Sequence, residues 1–247
     1  MFSSYGKMIG LRGDYIAFCR KIRRVPFPIH IDGLGKVGTI AEVLNIHDNF
    51  VKGEMRDQFT EQVIQKAARP VILDCGVNVG ITIRWWLHLN PNAQIYGVDM
   101  MAEAHEFTLN RLRHMKLDNQ YTGITAVVCE VNNGETKINF VDPLNGLNSV
   151  TTIEPEGVVS ASRFIKRQTI DNITTLNNIN TVDLLKIDIE GYGAKALSGA
   201  LKTLAFTKNV VLEIHSETEL SISAKLLIET GFKARKFNSR NIWFTKE

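Results

Sequence analysis

Residues 71–80 read V-I-L-D-C-G-V-N-V-G, and this stretch decides the fold. Three apolar residues run into Asp74, after which Gly76 and Gly80 bracket a tight turn that leads into a helical pattern at 81–89. A short apolar run followed by glycines and a helix is typical of a buried parallel strand in an α/β sheet. Glycine lets the backbone approach a ligand, and the free amides of the next helix favour a carboxylate or phosphate. The stretch therefore predicts the first strand of a nucleotide-binding half, with a turn that only packs helix against strand as the alternative.

A second strand supports the nucleotide interpretation. Residues 94–98 read Q-I-Y-G-V and end at Asp99, about 20 residues beyond the glycine turn, where an acidic side chain can accept both ribose hydroxyls. The glycine spacing is G-x-x-x-G and differs from the G-x-G-x-x-G of dinucleotide dehydrogenases. The two features together predict an adenosine-type ligand.

Composition is that of an ordinary soluble domain. With 247 residues, 44% hydrophobic and 22% charged, the chain can bury a full core. We expect an N-terminal extension at 1–68 and a main domain at 69–247. The cysteines Cys19, Cys75 and Cys129 are widely spaced, which indicates neither a disulfide framework nor a zinc cluster and fits a reducing cytoplasm. There is no apolar run of membrane-spanning length and no secretory signal pattern, so we expect no membrane span and no export.

Basic residues are concentrated near the start of the chain, although the formal net charge is only +3. Interleaved apolar residues allow two interpretations: a solvated helix face that covers the domain, or a basic amphipathic helix in peripheral contact with an anionic membrane or acceptor. No recognition motif supports nucleic acid as a partner, so we expect none. The basic residues are Lys7, Arg12, Arg20, Lys21, Arg23 and Arg24.

Strands and helices alternate through the main domain, which predicts a doubly wound, seven-stranded, mostly parallel α/β sheet of Rossmann-like topology. A C-terminal antiparallel hairpin, at 232–237 and 242–245, favours the class I methyltransferase version of this fold. An extra strand at 137–141 precedes a loop, 142–168, that we interpret as a lid or acceptor-binding wall. The remaining strands are predicted at 71–75, 94–98, 123–129, 182–188 and 208–214, and the helices at 80–89, 102–114, 194–204 and 218–230.

Residues 182–191 read V-D-L-L-K-I-D-I-E-G and place charges in a predicted buried strand. Alternate residues share a face of a strand, so Lys186, Asp188 and Glu190 are expected to lie together. Ionisable groups inside a covered sheet are unfavourable unless they are paired or used, so the stretch is a candidate site. The alternative is a strand end that emerges into water while Lys186 pairs with a carboxylate. Glu213 and His215 end the fifth strand at the same predicted edge, where open sheets bind ligands.

These motifs together resemble the FkbM-type S-adenosylmethionine-dependent methyltransferases. The family's D-V-G-A-N-x-G turn, its T-L-D, its D-L-L-K-I-D-x-E-G signature and its L-x-G-A each have a counterpart, and an E-x-H-like fifth strand follows. The resemblance extends from about residue 28 to the C-terminus. The counterparts are D-C-G-V-N-V-G at 74–80, T-I-D at 169–171, D-L-L-K-I-D-I-E-G at 183–191, L-S-G-A at 197–200 and E-I-H at 213–215.

The resemblance implies S-adenosylmethionine as cofactor and assigns residues to it. Gly76, Asn78 and Gly80 would wrap its methionine part, and Asp74 would lie near its amino group. Asp99 would hold the ribose, and Glu130 would lie against the adenine. The family often carries a second acidic residue after E-G, where this chain has Gly193.

The resemblance suggests a small-molecule or glycan acceptor: a hydroxyl of a sugar, a glycolipid or a secondary metabolite. Methyl transfer to a hydroxyl requires a group that takes its proton, and our candidates are Asp188 first, then His215 and Glu190. A metal held by these three side chains is conceivable, but the reaction needs none and we expect none. Two alternatives remain: a non-catalytic binding module of the same fold, and an NAD-dependent oxidoreductase.

Overall fold

The computed structural model describes residues 11–140, 142–144 and 161–246. A π-helical turn, His47–Val51, and a 3-10 turn, Asp118–Gln120, accompany the regular elements. In chain order these elements are α1 (Leu11–Ile22), β1 (Ile29–Ile31), β2 (Gly35–Val37), α2 (Ile40–Ile46), α3 (Gln58–Lys66), β3 (Val71–Cys75), α4 (Ile81–Leu89), β4 (Gln94–Asp99), α5 (Ala102–Met115), β5 (Tyr121–Thr125), β6 (Val127–Val128), β7 (Glu135–Phe140), β8 (Ala161–Gln168), α6 (Ile170–Leu176), β9 (Leu184–Ile187), α7 (Gly193–Ser198), α8 (Leu201–Ala205), β10 (Asn209–Glu213), α9 (Glu217–Glu229), β11 (Lys233–Asn238) and β12 (Asn241–Thr245).

The main sheet has seven strands in the order β11-β12-β10-β9-β3-β4-β5. Strands β5, β4, β3, β9 and β10 run parallel, and the hairpin β11–β12 is antiparallel to β10. The chain moves outward from β3 to β5 and later returns to β9 on the other side of β3. The boundary between β3 and β9 is therefore the switch point of the sheet, where ligands bind beyond the carboxyl ends of the strands.

Helices cover both faces of this sheet. One apolar cluster joins Leu185, Ile187 and Leu212 to side chains from α6, α7, α8 and α9. A second joins Ile72, Leu184 and Val211, on the opposite face, to α3, α4 and α5. Because both faces are buried, the strands are apolar nearly throughout, as expected for a parallel sheet.

The N-terminal segment is attached to the outside of the second helical layer. Ile16 of α1 packs in a third apolar cluster with Val79 and Ile81. Glu42 closes a capping box with Thr39 at the start of α2 and pairs with two arginines of the main domain, Arg84 and Arg111. The segment therefore covers the domain, as the first of our two interpretations expected, while Arg20 and Lys21 remain exposed.

Two predicted elements are each interrupted near the middle in the structure, so both predictions are wrong in part. The strand predicted at 123–129 is two strands, because β5 pairs with β4 whereas β6 leaves the main sheet to pair with β8. The helix predicted at 194–204 is likewise two, α7 and α8, separated at Gly199. A Cβ on Gly199 would lie 2.4 Å from the Cys129 carbonyl oxygen, so the backbone passes too closely for a continuous helix.

The predicted loop 142–168 also contains a strand. Strand β8 pairs antiparallel with β7 in a separate three-stranded sheet. Only Ile165 of this strand is buried, which leaves little apolar alternation to read in the sequence. The extra strand predicted at 137–141 is found as β7, and residues 145–160 of the proposed lid lie outside the described residues.

No helix of the described chain is both long and apolar enough to span a membrane.

Candidate functional site

The glycine turn after β3 has the backbone that its sequence requires. Gly76, Asn78 and Gly80 all have positive φ angles, of 96°, 52° and 66°. A Cβ on Gly76 would lie 1.8 Å from the Asp188 carbonyl oxygen, and one on Gly80 would lie 2.4 Å from Thr108 Oγ1. Close contacts within the protein therefore require glycine at both positions. They add to the approach of a ligand, which was the reason that the sequence suggested.

Asp99 closes the turn from the neighbouring strand. Its two carboxylate oxygens accept the backbone N–H groups of Asn78, at 3.0 Å, and Met101, at 2.9 Å. Burial raises the pKa of Asp99, while these two donors lower it. Each oxygen keeps a further lone pair, so a carboxylate fixed in this way can still accept the two hydroxyls of a ribose.

The side chain of Asn78 adds an observation that fits a bound ligand. Its Oδ1 atom is buried and has no hydrogen-bond partner among the described residues. A buried polar atom normally has a partner, and Asn78 lies at the turn that opens α4, whose first amides also lack intrahelical partners. The turn therefore offers both an acceptor and donors to a zwitterionic group such as an amino acid.

Asp74 lies beneath this turn and has no exposed surface. Its Oδ1 accepts a hydrogen bond from Lys186 Nζ at 2.9 Å, and the same Nζ donates to the Gly76 carbonyl oxygen at 2.8 Å. Burial alone would lower the pKa of Lys186, but Asp74 and Asp188 raise it. The Asp74 carboxylate pairs with Lys186 and supports the turn from below, and its contact with the amino group of the cofactor stays a prediction.

A cluster of acidic side chains and one imidazole lies at the same edge of the sheet. Asp188 follows β9, Glu213 ends β10 and His215 follows it. His215 Nε2 lies 3.2 Å from Glu213 Oε2, and Nδ1 lies 3.6 Å from Glu190 Oε2. Lys186 Nζ, 3.4 Å from Asp188 Oδ2, joins this cluster to Asp74.

The side chains of this cluster shift one another's pKa values through their charges and hydrogen bonds. Burial would raise the pKa of Asp188, but Lys186 and a hydrogen bond with Glu213 lower it. Burial, together with the hydrogen bond and charge of Asp188, raises the pKa of Glu213 to about 8. The hydrogen bond with Glu213 raises the pKa of His215. These shifts favour the ionised form of Asp188 and the protonated form of Glu213.

The strand predicted to carry three charges on one face is shorter than expected. Strand β9 ends at Ile187, and Glu190 has a φ of 44°, so Glu190 leaves the strand direction. The turn nevertheless returns its carboxylate to His215. Glu130 is exposed beyond β6 and stands apart from these contacts, so its place beside the adenine stays a prediction.

Glu219 is a structural member of the site that the sequence analysis missed. Its buried carboxylate accepts the backbone N–H of Gly193 and that of His215, each at 2.8 Å. A Cβ on Gly193 would lie 2.7 Å from Leu212 Cδ1 and 2.8 Å from Glu219 Oε1. A side chain at 193 would press on both atoms, which favours glycine at this position. The S-E-T-E run at 216–219 has the spacing of a capping box and could have drawn attention to Glu219.

The chain is similar to several solved structures. The METTL16 MTase domain aligns with a TM-score of 0.50 at 9% identity and covers 94% of this chain and 89% of that chain. Aeropyrum pernix fibrillarin in complex with natively bound S-adenosyl-L-methionine aligns at a TM-score of 0.46 and 11% identity, covering 78% and 76%. An rRNA methylase from Streptococcus thermophilus aligns at 0.44 and 12%, covering 76% and 94%.

The sequence comparison is more specific. No curated protein sequence matches the chain significantly, but residues 74–232, more than half of the chain, match the Methyltransferase FkbM domain. The matched range contains the glycine turn, Asp99, the charged segment after β9 and His215. The chain belongs to the FkbM methyltransferase family, and its cofactor is S-adenosylmethionine.

Proposed function

We propose that this protein methylates a hydroxyl group of a sugar, a glycolipid or a secondary metabolite. The observation that carries the proposal is the position of the cluster formed by Asp188, Glu190 and His215. It lies beside the glycine turn, at the carboxyl edge of the central strands. A hydroxyl acceptor needs a group that takes its proton, and this cluster provides ionisable groups where the acceptor would meet the cofactor.

The cofactor would be held by the turn and by Asp99. Bound S-adenosylmethionine supplies an electrophilic methyl group on a sulfonium. Asn78 and the first amides of α4 would bind its amino acid part, and Asp99 would accept its ribose hydroxyls. The Lys186–Asp74 pair fixes the carbonyl of Gly76 and so holds the turn in place. Correct positioning in a site that excludes water can supply much of the rate of such a transfer.

The proton of the acceptor hydroxyl would leave through the cluster. Asp188 is held ionised by Lys186, so it is the first acceptor for a hydrogen bond from the hydroxyl. His215 and Glu190 lie behind it and take up the positive charge of the proton. Glu219, through its bond to the His215 backbone, positions the imidazole.

Charge favours a neutral or cationic acceptor over a nucleic acid. Asp188 and Glu190 lie at this edge, and Glu54 is close enough to Asp188 for the two carboxylates to interact. Carboxylates at the entrance of a site repel the phosphates that supply most of the affinity of nucleic-acid binding. We therefore propose a small-molecule or glycan acceptor. A peripheral contact of the basic α1 with an anionic surface is compatible with a glycolipid.

The test is a turnover assay on the purified full chain. S-adenosylhomocysteine release would be measured with panels of sugars, glycolipids, hydroxylated secondary metabolites and RNA. We expect turnover with a hydroxyl compound and a loss of roughly 10²–10⁴-fold in kcat for D188N, with S-adenosylmethionine affinity retained. The matched control is E103Q, because Glu103 is a paired carboxylate on α5 outside the site.

Each other outcome would assign a different function. Turnover with RNA alone would refute the acceptor class. Binding of S-adenosylmethionine without turnover of any acceptor would indicate a non-catalytic module. Binding of NAD in its place would indicate an oxidoreductase.

A further inference from the structure

Three polar side chains lie in a row across adjacent strands at the edge of the sheet. Lys186 is paired with Val211, and Val211 with Trp243, across β9, β10 and β12. Two residues nearer the carboxyl edge, the same face carries Asp188, Glu213 and Asn241. Glu213 and Asn241 are direct cross-strand partners, so their side chains leave the same face with Cβ atoms about 5 Å apart.

Asn241 is the member of this row that the site described above does not explain. Its side chain has no exposed surface, and neither Oδ1 nor Nδ2 has a hydrogen-bond partner among the described residues. Leaving a buried amide without hydrogen-bond partners is unfavourable. A fully buried amide beside the Glu213 carboxylate is accounted for when a ligand that binds oxygen lies between the two side chains.

The neighbouring groups have the spacing of metal ligands. One ligand atom each from Asp188, Glu213 and His215 lie within 4.8 Å of one another. Oxygen ligands about 2.1 Å from one small cation lie roughly 3–4.2 Å apart, so small rotations of these side chains would surround an ion. His215 directs Nε2 to Glu213 and Nδ1 to Glu190. A carboxylate on the far nitrogen of a metal-bound histidine is the usual arrangement that orients such a ligand.

We propose that Asp188, Glu213, His215 and the Asn241 carbonyl oxygen bind one hard divalent cation, Mg²⁺ or Mn²⁺. Two carboxylates and an amide oxygen are donors that suit these ions, and one imidazole completes the set. Glu190 is not a ligand but orients His215. This proposal replaces our expectation of no metal. The ligand set considered from the sequence was Asp188, Glu190 and His215. In the set proposed here, Glu213 and Asn241 take the place of Glu190.

The charge of the region is consistent with a cation. Lys186 is balanced by Asp74, with which it shares the shorter contact. Asp188, Glu190 and Glu213 then remain around one imidazole, and Glu54 adds a fourth carboxylate nearby.

The cation site deepens the proposed function without depending on its acceptor. A metal ion lowers the pKa of a hydroxyl bound to it. The acceptor hydroxyl would then give its proton to Glu190, the carboxylate of the cluster that is not a ligand. With an ion bound, Asp188 and His215 would be its ligands, and Glu190 would replace Asp188 as the group that accepts the proton.

The test is a titration of the chelator-stripped full chain with Mn²⁺, in which free Mn²⁺ is followed by electron paramagnetic resonance. We expect one ion per chain and a loss of at least tenfold in affinity for E213Q and for N241A. E190Q should weaken binding by roughly 10–100-fold. N241D should bind more tightly than the native chain, because it adds a negative ligand, and E103Q should not differ from native.

Either of two results overturns the site: no Mn²⁺ bound by the native chain, or an affinity unchanged in E213Q or, where E213Q does not fold, in N241D. N241D keeps the test decisive if E213Q fails to fold, as thermal melting of each variant would show. The outcome is separable from the proposed function. A chain that binds Mn²⁺ but methylates no hydroxyl refutes only the acceptor, and one that methylates at full rate in chelator without binding Mn²⁺ refutes only the cation.

Discussion

Replacing Lys186 by methionine tests the buried ion pair that supports the cofactor turn. Lys186 is 2% exposed and Asp74 is 0% exposed, so K186M leaves a carboxylate without its cation in the sheet. Removing one partner of a buried pair costs about 3–5 kcal/mol. In a chain of this size that loss lowers Tm by about 6–20 °C. The turn should loosen as well, because the Gly76 carbonyl oxygen loses its donor.

The assay is urea unfolding of the native chain, K186M and the double variant D74N/K186M, with the free energy of unfolding extrapolated to water. The double variant should recover at least half of the loss, because it removes the unpaired charge. The matched control is K208M, since Lys208 pairs with Asp183 but its side chain is 62% exposed; it should lose less than about 1 kcal/mol. A K186M chain within about 1 kcal/mol of native would refute the reasoning.

Three further predictions follow from single contacts. D99A should weaken S-adenosylmethionine binding by at least about tenfold, because a hydrogen bond to a charged group contributes about 1.5–3 kcal/mol; unchanged affinity by calorimetry would contradict the ribose assignment. Burial raises the pKa of Glu42, but Arg111 and Arg84 lower it to a net value below its usual 4.5. The contribution of Glu42 to stability is therefore fully present above pH 4.5, its usual pKa, and is lost as the pH falls through the lower folded pKa. E42Q should lose about 3 kcal/mol at pH 7 and less below pH 4, and an equal loss at both pH values in urea unfolding would disprove the linkage. G193A should destabilise the chain by about 1–3 kcal/mol, because its Cβ overlaps Leu212 Cδ1; native-like melting would show that the contact can relax.

The sequence predicted the parts of the fold that depend on local pattern. The run at 71–80 and the acidic end of β4 identified the central strands, because a buried strand followed by a glycine turn is compatible with few other folds. The match over residues 74–232 confirms the family that the motifs resembled, and the antiparallel hairpin was found where predicted. Strand β8 was missed because its exposed side chains carry no apolar alternation.

The site could be predicted only as a set of residue types at one edge of the sheet. Sequence spacing placed Asp188 and His215 on neighbouring strands but could not show that Asp74 is occupied by Lys186 across the switch point. It also could not identify Asn241. Asn241 lies 28 residues after Glu213, and only the register of β12 against β10 places the two side by side. Contacts of this kind arise from tertiary pairing, which leaves no local pattern.

The most direct measurement is a crystal structure of the chain with bound S-adenosylhomocysteine. The account predicts that the ribose hydroxyls lie within hydrogen-bond distance of the Asp99 carboxylate, and that the sulfur faces Asp188 and His215 across an open space for the acceptor. A ligand bound elsewhere, or one whose sulfur points away from Asp188, would contradict the assignment of this edge of the sheet as the site of methyl transfer.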